Sequence, residues 1–554
     1  MTYYRRSHMD KDKVQGKGKR TVSNLLITLI FGLIYYYVKL PAINLKDPAF
    51  YTFVLLLSAV YCFLSILTQG LFRAESGREL WQSVKTHCTI PVTVCIILAA
   101  IFVVGSLISA PIFRAHAYRN LLTVETGDFA KEVDQISYSE IPMLDEASAM
   151  KLGDKKMGEL SDMVSQFEVD DDYTQINYNG TPVRVTPLYY SDFFKWLSNQ
   201  SEGLPAYIMI NMVSQEVQAV RLSEGMKYST CEYFFRNVNR HLRLNYPTYI
   251  FDSPNFEVDD SGTPYWVCPR IIKKIGLFGG TDIDGAVLMN AITGDCTYYA
   301  SGSVPEWVDR VYTASLIIKQ YNYFGMYQNG WFNSFIGQKG VTISTNGYNY
   351  IAKDGCVYMY TGVTSVVSDN SNIGFILTNQ RTKETKYYAC AGAQEYAAMS
   401  SAEGIVQYMD YRATFPLLLN IANQPTYFMA LKDTGGLVKM YAMVNVQQYQ
   451  LVASGTTVAE CEKNYMNMLA GSNLASESEI TGTAVNGTIS DIRTAVIDGN
   501  TNVFIKLEGD SYYYIISVAE NKLSAVLSVG DKVIITPSSD DGELRSAYDV
   551  KRAD

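Results

Sequence analysis

Three stretches near the start of the chain carry no charged residue: "VSNLLITLIFGLIYYYV" (22–38), "AFYTFVLLLSAVYCFLSILT" (49–68) and "IPVTVCIILAAIFVVGSLIS" (90–109). A helix rises about 1.5 Å per residue, so about 20 apolar residues cross a hydrocarbon layer about 30 Å thick. Inside lipid, so short a segment satisfies its own backbone only as a helix. The expected architecture is therefore membrane-anchored, with three N-terminal transmembrane helices, the first short and completed by tilt of its neighbours.

Lys and Arg set the expected orientation. The leader carries Arg5, Arg6, Lys11, Lys13, Lys17, Lys19 and Arg20, and the second loop Arg73, Arg78 and Lys85, against only Lys39 and Lys46 in the first loop. This asymmetry predicts a multi-pass protein of the bacterial cell membrane, its N-terminus cytoplasmic and residues from about 115 to 554 extracytoplasmic. No small-x-small cleavage pattern follows the first stretch, so an uncleaved anchor is expected. In the third, Gly105 lies over Ser109 and Ser106 over Ala110, a row of small residues through which an oligomer would pack.

The rest of the 554 residues exceed one ordinary core. The expected organisation is a basic tail (1–21), the three-helix segment (22–110), a juxtamembrane connector (111–140), two α+β modules with antiparallel sheets (141–300 and 301–469), a Ser/Gly/Glu-rich linker (470–483) and a small C-terminal β-barrel (484–554). A net charge of −9 argues against nucleic acid as a partner. The 42 tyrosines suit pleated, half-buried surfaces.

Within the modules, Asp145–Leu160 predicts a helix interrupted at Gly153, and Thr230–Leu244, Pro305–Tyr321 and Ala393–Met409 predict further helices. The polar run after the third span, "ETGDFAKEVDQISYSE", is expected to begin as a helix. "GLPAYIMINMVSQEVQAVRL" from Gly203, "GTPYWVC" from Gly262 and "QPTYFMALKDTGGLVKMYAMV" from Gln424 echo one another as strand openings, two of them followed by a turn and return strand. Proline suits a strand's first residue and Asp-x-Gly-Gly a tight turn, so these echoes read as scaffold. Beyond residue 484, five short strands separated by Asp-Gly and Gly-Asp turns predict the barrel, and "LSVGDKVIITP" resembles a strand of OB-like barrels.

The hairpin "VLMNAITGDCTYY" (287–299), after a helix and a strand, resembles PepSY-type modules, whose turn often reads Asp-x-x-Thr-Gly; Thr293-Gly294 matches and Asn290 stands where Asp is usual. "FILTNQRTKETKYYA" (375–389) is a looser match, with Lys383 in place of Gly. The chain also resembles uncharacterised bacterial membrane proteins. The PepSY resemblance implies peptidase inhibition or ligand sensing, hence binding more than catalysis.

Residues that would carry chemistry are sparse. Beyond the spans the histidines are His116 and His241, and there is no H-E-x-x-H, C-x-x-C, G-x-S-x-G or phosphate-loop pattern. No cofactor or metal is expected. Acidic clusters at 170–172, 257–260, 282–284 and 540–543 read as solvated turns, with glycoside hydrolysis or calcium as alternatives. Six cysteines beyond the spans permit three disulfides or six free thiols. The candidate binding residues are the aromatics Tyr207, Tyr265, Trp266 and Tyr427 with Asp282 and Asp284. The expected function is a membrane-anchored binding or scaffolding protein of the cell envelope, its partners the lipid bilayer and an envelope protein, peptide or glycan. The alternatives are an envelope hydrolase acting through acidic residues and a structural subunit of a membrane complex.

Overall fold

A computed structural model of the chain describes residues 2–71, 77–135, 141–366, 371–472, 474, 484–497, 500–518, 521–537 and 544–553. Three helices are long and apolar enough to cross a membrane: Lys19–Lys39, Pro48–Thr68 and Val84–Ser109. Asn24 ties the first to the second, its amide donating to Thr68 Oγ1 at 2.8 Å, a polar contact that lipid cannot replace. The fold that follows is mainly antiparallel sheet with helices.

Four copies of one unit make up residues 143–455. Each copy runs through a helix (146–159, 238–245, 314–326, 395–405), a short edge strand (167–169, 250–251, 342–344, 412–413) and then four strands that pair in sequence. The second of these strands (181–190, 264–275, 356–365, 424–432) is central, and both the edge strand and the first strand pair with it. The first repeat adds a helix, Phe193–Asn199, between its second and third strands.

One residue type marks the period. Asn211, Asn290, Asn379 and Asn445 each end the third strand, and each side-chain oxygen accepts the N–H groups two and three residues on, at 2.8–3.1 Å. This Asx turn closes the hairpin. In three copies the fifth turn residue has positive φ: Gln215 (59°), Gly294 (82°) and Lys383 (66°). The residue after each Asn then donates to the second strand: Met212 to Pro182, Ala291 to Pro264, Gln380 to Val357 and Val446 to Pro425, at 3.0–3.1 Å. Its carbonyl accepts from the chain that opens the same repeat, from Met143, Tyr228, Tyr312 and Ala393 at 2.8–2.9 Å. The polar groups of each turn are thereby paired, and each repeat's beginning is fastened to its own third–fourth turn.

The period differs from the echoes in the sequence. Pro264 and Pro425 occupy the same place in the second strand, but the matching residue of the first repeat is Pro182; Gly203–Leu222 contains the third and fourth strands instead. Second and third strands are both buried apolar runs, so short similarity does not separate them.

Apolar side chains join the repeats in pairs. One core spans Leu144 to Ala291 and unites the first two; another, from Phe129 to Leu469, unites the last two with the helix Val458–Gly471. A smaller cluster around Val267, Ile283, Val311 and Met359 bridges the second and third. The helix Glu146–Glu159 runs through Gly153 without a break, and the missing side chain leaves room for the Tyr173 hydroxyl. The second repeat's helix is shorter than expected, Val238–Asn245, capped by Asn237. After the third span come a helix, Pro111–Arg119, and a strand, Val124–Gly127, that pairs parallel with Thr385–Tyr388; the polar run thus begins as strand rather than helix. Residues 473 and 475–483 of the expected linker and the acidic cluster 540–543 lie outside the described residues.

The last five strands pair in the ring order 485–497, 500–507, 513–517, 544–552, 532–537, with 513–517 and 544–552 parallel. Ile489, Ile505, Tyr514, Val533 and Ile535 fill its interior.

The second repeat is seated on the spans. Ser109 Oγ accepts the Leu277 and Phe278 N–H groups at 2.9 and 3.1 Å, and a Cβ on Gly105 would meet Leu277 at 2.7 Å. Gly105 and Ser109, expected to face another helix, receive the chain's own hairpin. Arg243 donates to the Leu40 carbonyl at 2.9 Å, and Lys46 to that of Lys273 at 2.9 Å. The cysteines among the described residues are free thiols.

Asn290→Ala removes two hydrogen bonds that no other group replaces, and about 1–3 kcal/mol of stability should be lost, read from the denaturant midpoint of the detergent-solubilised chain. Asn290→Asp keeps the acceptor and should lose much less; equal losses would contradict the turn's assigned role.

Candidate functional site

Where the first, third and fourth repeats meet, the chain forms a half-open cavity of about 650 Å³, a size that suits a small ligand. Its inner wall comes from the first repeat. Strand 181–190 points Val183 and Val185 into the core, which turns Arg184 to the other face. Arg184 is 6% exposed, donating to the Leu144 carbonyl at 3.3 Å and the Tyr173 carbonyl at 3.2 Å. Burial draws its pKa down, while the Glu146 and Asp145 carboxylates oppose that shift. Gln175 is its cross-strand neighbour, 5% exposed, and neither its amide nitrogen nor its oxygen has a partner.

The segment before the third repeat supplies a second cation, Arg310. Its buried Nε is also without a partner. The sequence pattern predicted a helix from Pro305, but the helix starts at Ala314. The cause is Glu257, whose carboxylate accepts the N–H groups of Asp309 and Arg310 at 2.9 and 3.0 Å and holds that stretch out of helical geometry. Tyr348, Asn349, Tyr350 and Phe415 complete the wall. Burial pushes the Tyr350 phenol up to about 12, with Arg310 and Arg184 pulling the other way. Gly347, at φ 107°, lets the Phe415 ring approach where a Cβ would stand 2.4 Å from it.

Three carboxylates line the same space. Asp145 caps the helix by accepting the Ser148 N–H at 3.1 Å and pairs with Lys432 at 2.6 Å. Burial alone would raise its pKa; Lys432 and Ser148 outweigh burial and hold it below the usual carboxylate range. Glu146 and Asp172 are exposed. The cavity lining therefore combines two arginines and a glutamine with acidic residues and aromatic rings. A ligand carboxylate or phosphate would meet charge-assisted donors there.

The residues expected from sequence lie elsewhere and have structural partners. Tyr207 donates to the Gly262 carbonyl at 3.0 Å, and Trp266 to that of Tyr228 at 3.0 Å. Tyr265 packs on Trp307 at 5.0 Å. Tyr427 accepts from the Asn372 amide at 2.8 Å. Asp282 is fully buried between Lys274 (2.5 Å) and Lys383 (2.7 Å), and Asp284 lies 3.5 Å from Arg270. None of them lines the cavity. His241 bonds the Gly294 carbonyl at 2.9 Å, within the second Asx turn. Among the described residues, no group of three His, Cys, Asp or Glu side chains could hold a metal ion. One signal for the cavity was present in the sequence: Arg184 is the sole charge in "TPVRVTPLYY", a strand otherwise fit for burial.

No protein-family model matches the chain, and no curated protein does. Among solved structures, an exo-beta-1,3-galactanase from Phanerochaete chrysosporium, with beta-1,3-galactotriose, aligns over 68% of this chain and 81% of its own at 11% identity, with a TM-score of 0.16.

Glu257 and Asp309 make the junction beside Arg310 sensitive to pH. Burial, with Asp309 adding to it, pushes Glu257 up to about 8, and burial pushes Asp309 up to about 7. Both values exceed those of the unfolded chain, so the folded state holds these protons more tightly. Their contribution is complete below about pH 4 and is lost as pH rises towards 8. The melting temperature should fall between pH 5 and 8, and Glu257→Gln should flatten that slope; an unchanged slope would contradict it.

Proposed function

We propose that the protein is a membrane-anchored extracytoplasmic binding protein of the bacterial envelope, and that the cavity between its repeats takes a carboxylate- or phosphate-bearing ligand of the peptide or glycan class. The observation that carries the reading is that two arginines, Arg184 and Arg310, line one cavity of ligand size together with the Gln175 amide. Arginine guanidiniums facing such a space offer charge-assisted donors to an anionic group. Glu146 and Asp172 would receive the cationic or hydroxyl part of such a ligand, and Tyr348 and Phe415 its apolar part.

Orientation and kinship belong to the same proposal. The basic leader favours a cytoplasmic N-terminus. The turn at Asn290 supports a PepSY-like reading: its amide oxygen accepts the two N–H groups that an Asp carboxylate would accept, and Lys383 adopts the positive φ that glycine adopts at 294. The strand order of residues 485–552, with one parallel pair, supports an OB-like barrel. The hydrolase alternative keeps one observation: Asp145, Glu146 and Asp172 line the same space, and Lys432 holds Asp145 ionised, which suits a base or nucleophile rather than the acid.

Fluorescent envelope peptides and glycans carrying a free carboxylate, each with its amidated counterpart, test the site on the solubilised full chain. The free acids should be retained and the amides not, and Arg310→Ala should weaken binding about 10- to 100-fold, as expected for a lost charge-assisted contact worth about 1.5–3 kcal/mol. Equal retention of acid and amide, or binding untouched in a variant that melts normally, would overturn the assignment.

A further inference from the structure

The folded region already reaches into the depth of the spans. Phe278, at the tip of the second repeat's hairpin, packs on Phe102 at 4.9 Å and on Tyr51 at 5.6 Å. Phe102 lies two helical turns before Ser109, the last residue of its span, about 10 Å along the axis. Part of the sheet region thus sits below the ends of the helices that carry it.

Two clusters of exposed aromatic residues lie at the same ends. The first adjoins the end of the first span. Phe235 packs on Tyr37 at 5.7 Å, and the Arg240 guanidinium lies 4.4 Å from the centre of the Tyr37 ring. Phe234 and Phe235 are exposed, and Phe234 packs on Trp196 of helix Phe193–Asn199, which carries the exposed Phe194. Glu232 fixes that platform by accepting from the Tyr190 hydroxyl and the Trp196 indole, each at 2.7 Å. The second cluster adjoins the end of the third span. Trp331 packs in a group with Ala115, Ala117 and Tyr118 of helix Pro111–Arg119. Around it Phe332, Phe335 and Ile336 are exposed.

Single exposed apolar side chains are ordinary on a soluble surface. Two such groups, each packed on the end of a membrane span, are different, since apolar aromatic faces bury at the boundary of headgroups and acyl chains. Arg240 stands beside the first, and Arg114 lies exposed on the helix that packs against the second, where cationic side chains meet lipid phosphates. We propose that both clusters rest in the headgroup layer of the leaflet into which the first and third spans open, so that the repeats lie on the membrane on two aromatic feet. The bilayer surface is then a second binding partner, separate from the cavity, and the feet set the height and tilt at which the cavity is presented.

The test uses the full chain in vesicles of phosphatidylcholine and phosphatidylglycerol, with the photoreactive p-benzoylphenylalanine replacing Phe194, Phe332 or Tyr408. Tyr408, on the fourth repeat, is a still more exposed ring. Lipid adducts, seen as mass shifts, should form at 194 and 332 several-fold more than at 408, in protein whose melting temperature is unchanged. Adducts to a second protein chain in place of lipid, lipid adducts at only one foot, or equal yields at all three positions would overturn the proposal.

Discussion

Each repeat depends on one hydrogen-bonded knot. An asparagine closes the third–fourth hairpin, the next residue bonds back to the second strand, and its carbonyl holds the chain that opens the repeat. A turn between strands ordinarily turns its polar backbone to water. Here the turn is at once a closure and an anchor, so the helix and the sheet of a unit are fastened at one point. The contribution of any one bond is about 1 kcal/mol, but the same connections recur four times, and the paired cores pack on units of a common shape.

That arrangement accounts for the cavity. The units keep separate sheets rather than merging into one, and the corner left by the first, third and fourth is the space that Arg184 and Arg310 share. Asp145 and Lys432 cross the boundary between the first and fourth repeats at 2.6 Å, and Asp282 and Lys383 that between the second and third at 2.7 Å. Lys383 has a double role: its backbone takes the left-handed turn position, and its ammonium reaches Asp282. Both pairs therefore tie neighbouring units at named points.

The sequence showed local constraints well and distant ones poorly. The three spans were legible because hydrocarbon demands continuous apolar residues. The helix around 395–405 and the five terminal strands were legible from period and turn chemistry. The start of the 314–326 helix was not, because Glu257, far upstream, engages the N–H groups of Asp309 and Arg310. Gly153 looked like an interruption, although its lack of a side chain serves Tyr173 instead. The repeat was half visible: the prolines at 264 and 425 recur truly, while the resemblance at 203 joined two different strands. Of the site, only Arg184 stood out by its surroundings; Arg310 becomes a cavity residue through contacts that no local pattern encodes.

Amide hydrogen exchange on the full chain tests the anchoring claim most directly, through the N–H groups of Met143, Tyr228, Tyr312 and Ala393, each bonded to the carbonyl that follows a turn asparagine. All four should exchange as slowly as the central strands, opening only when the repeat unfolds. Rapid exchange at any one of them, in protein whose central strands stay protected, would contradict the account.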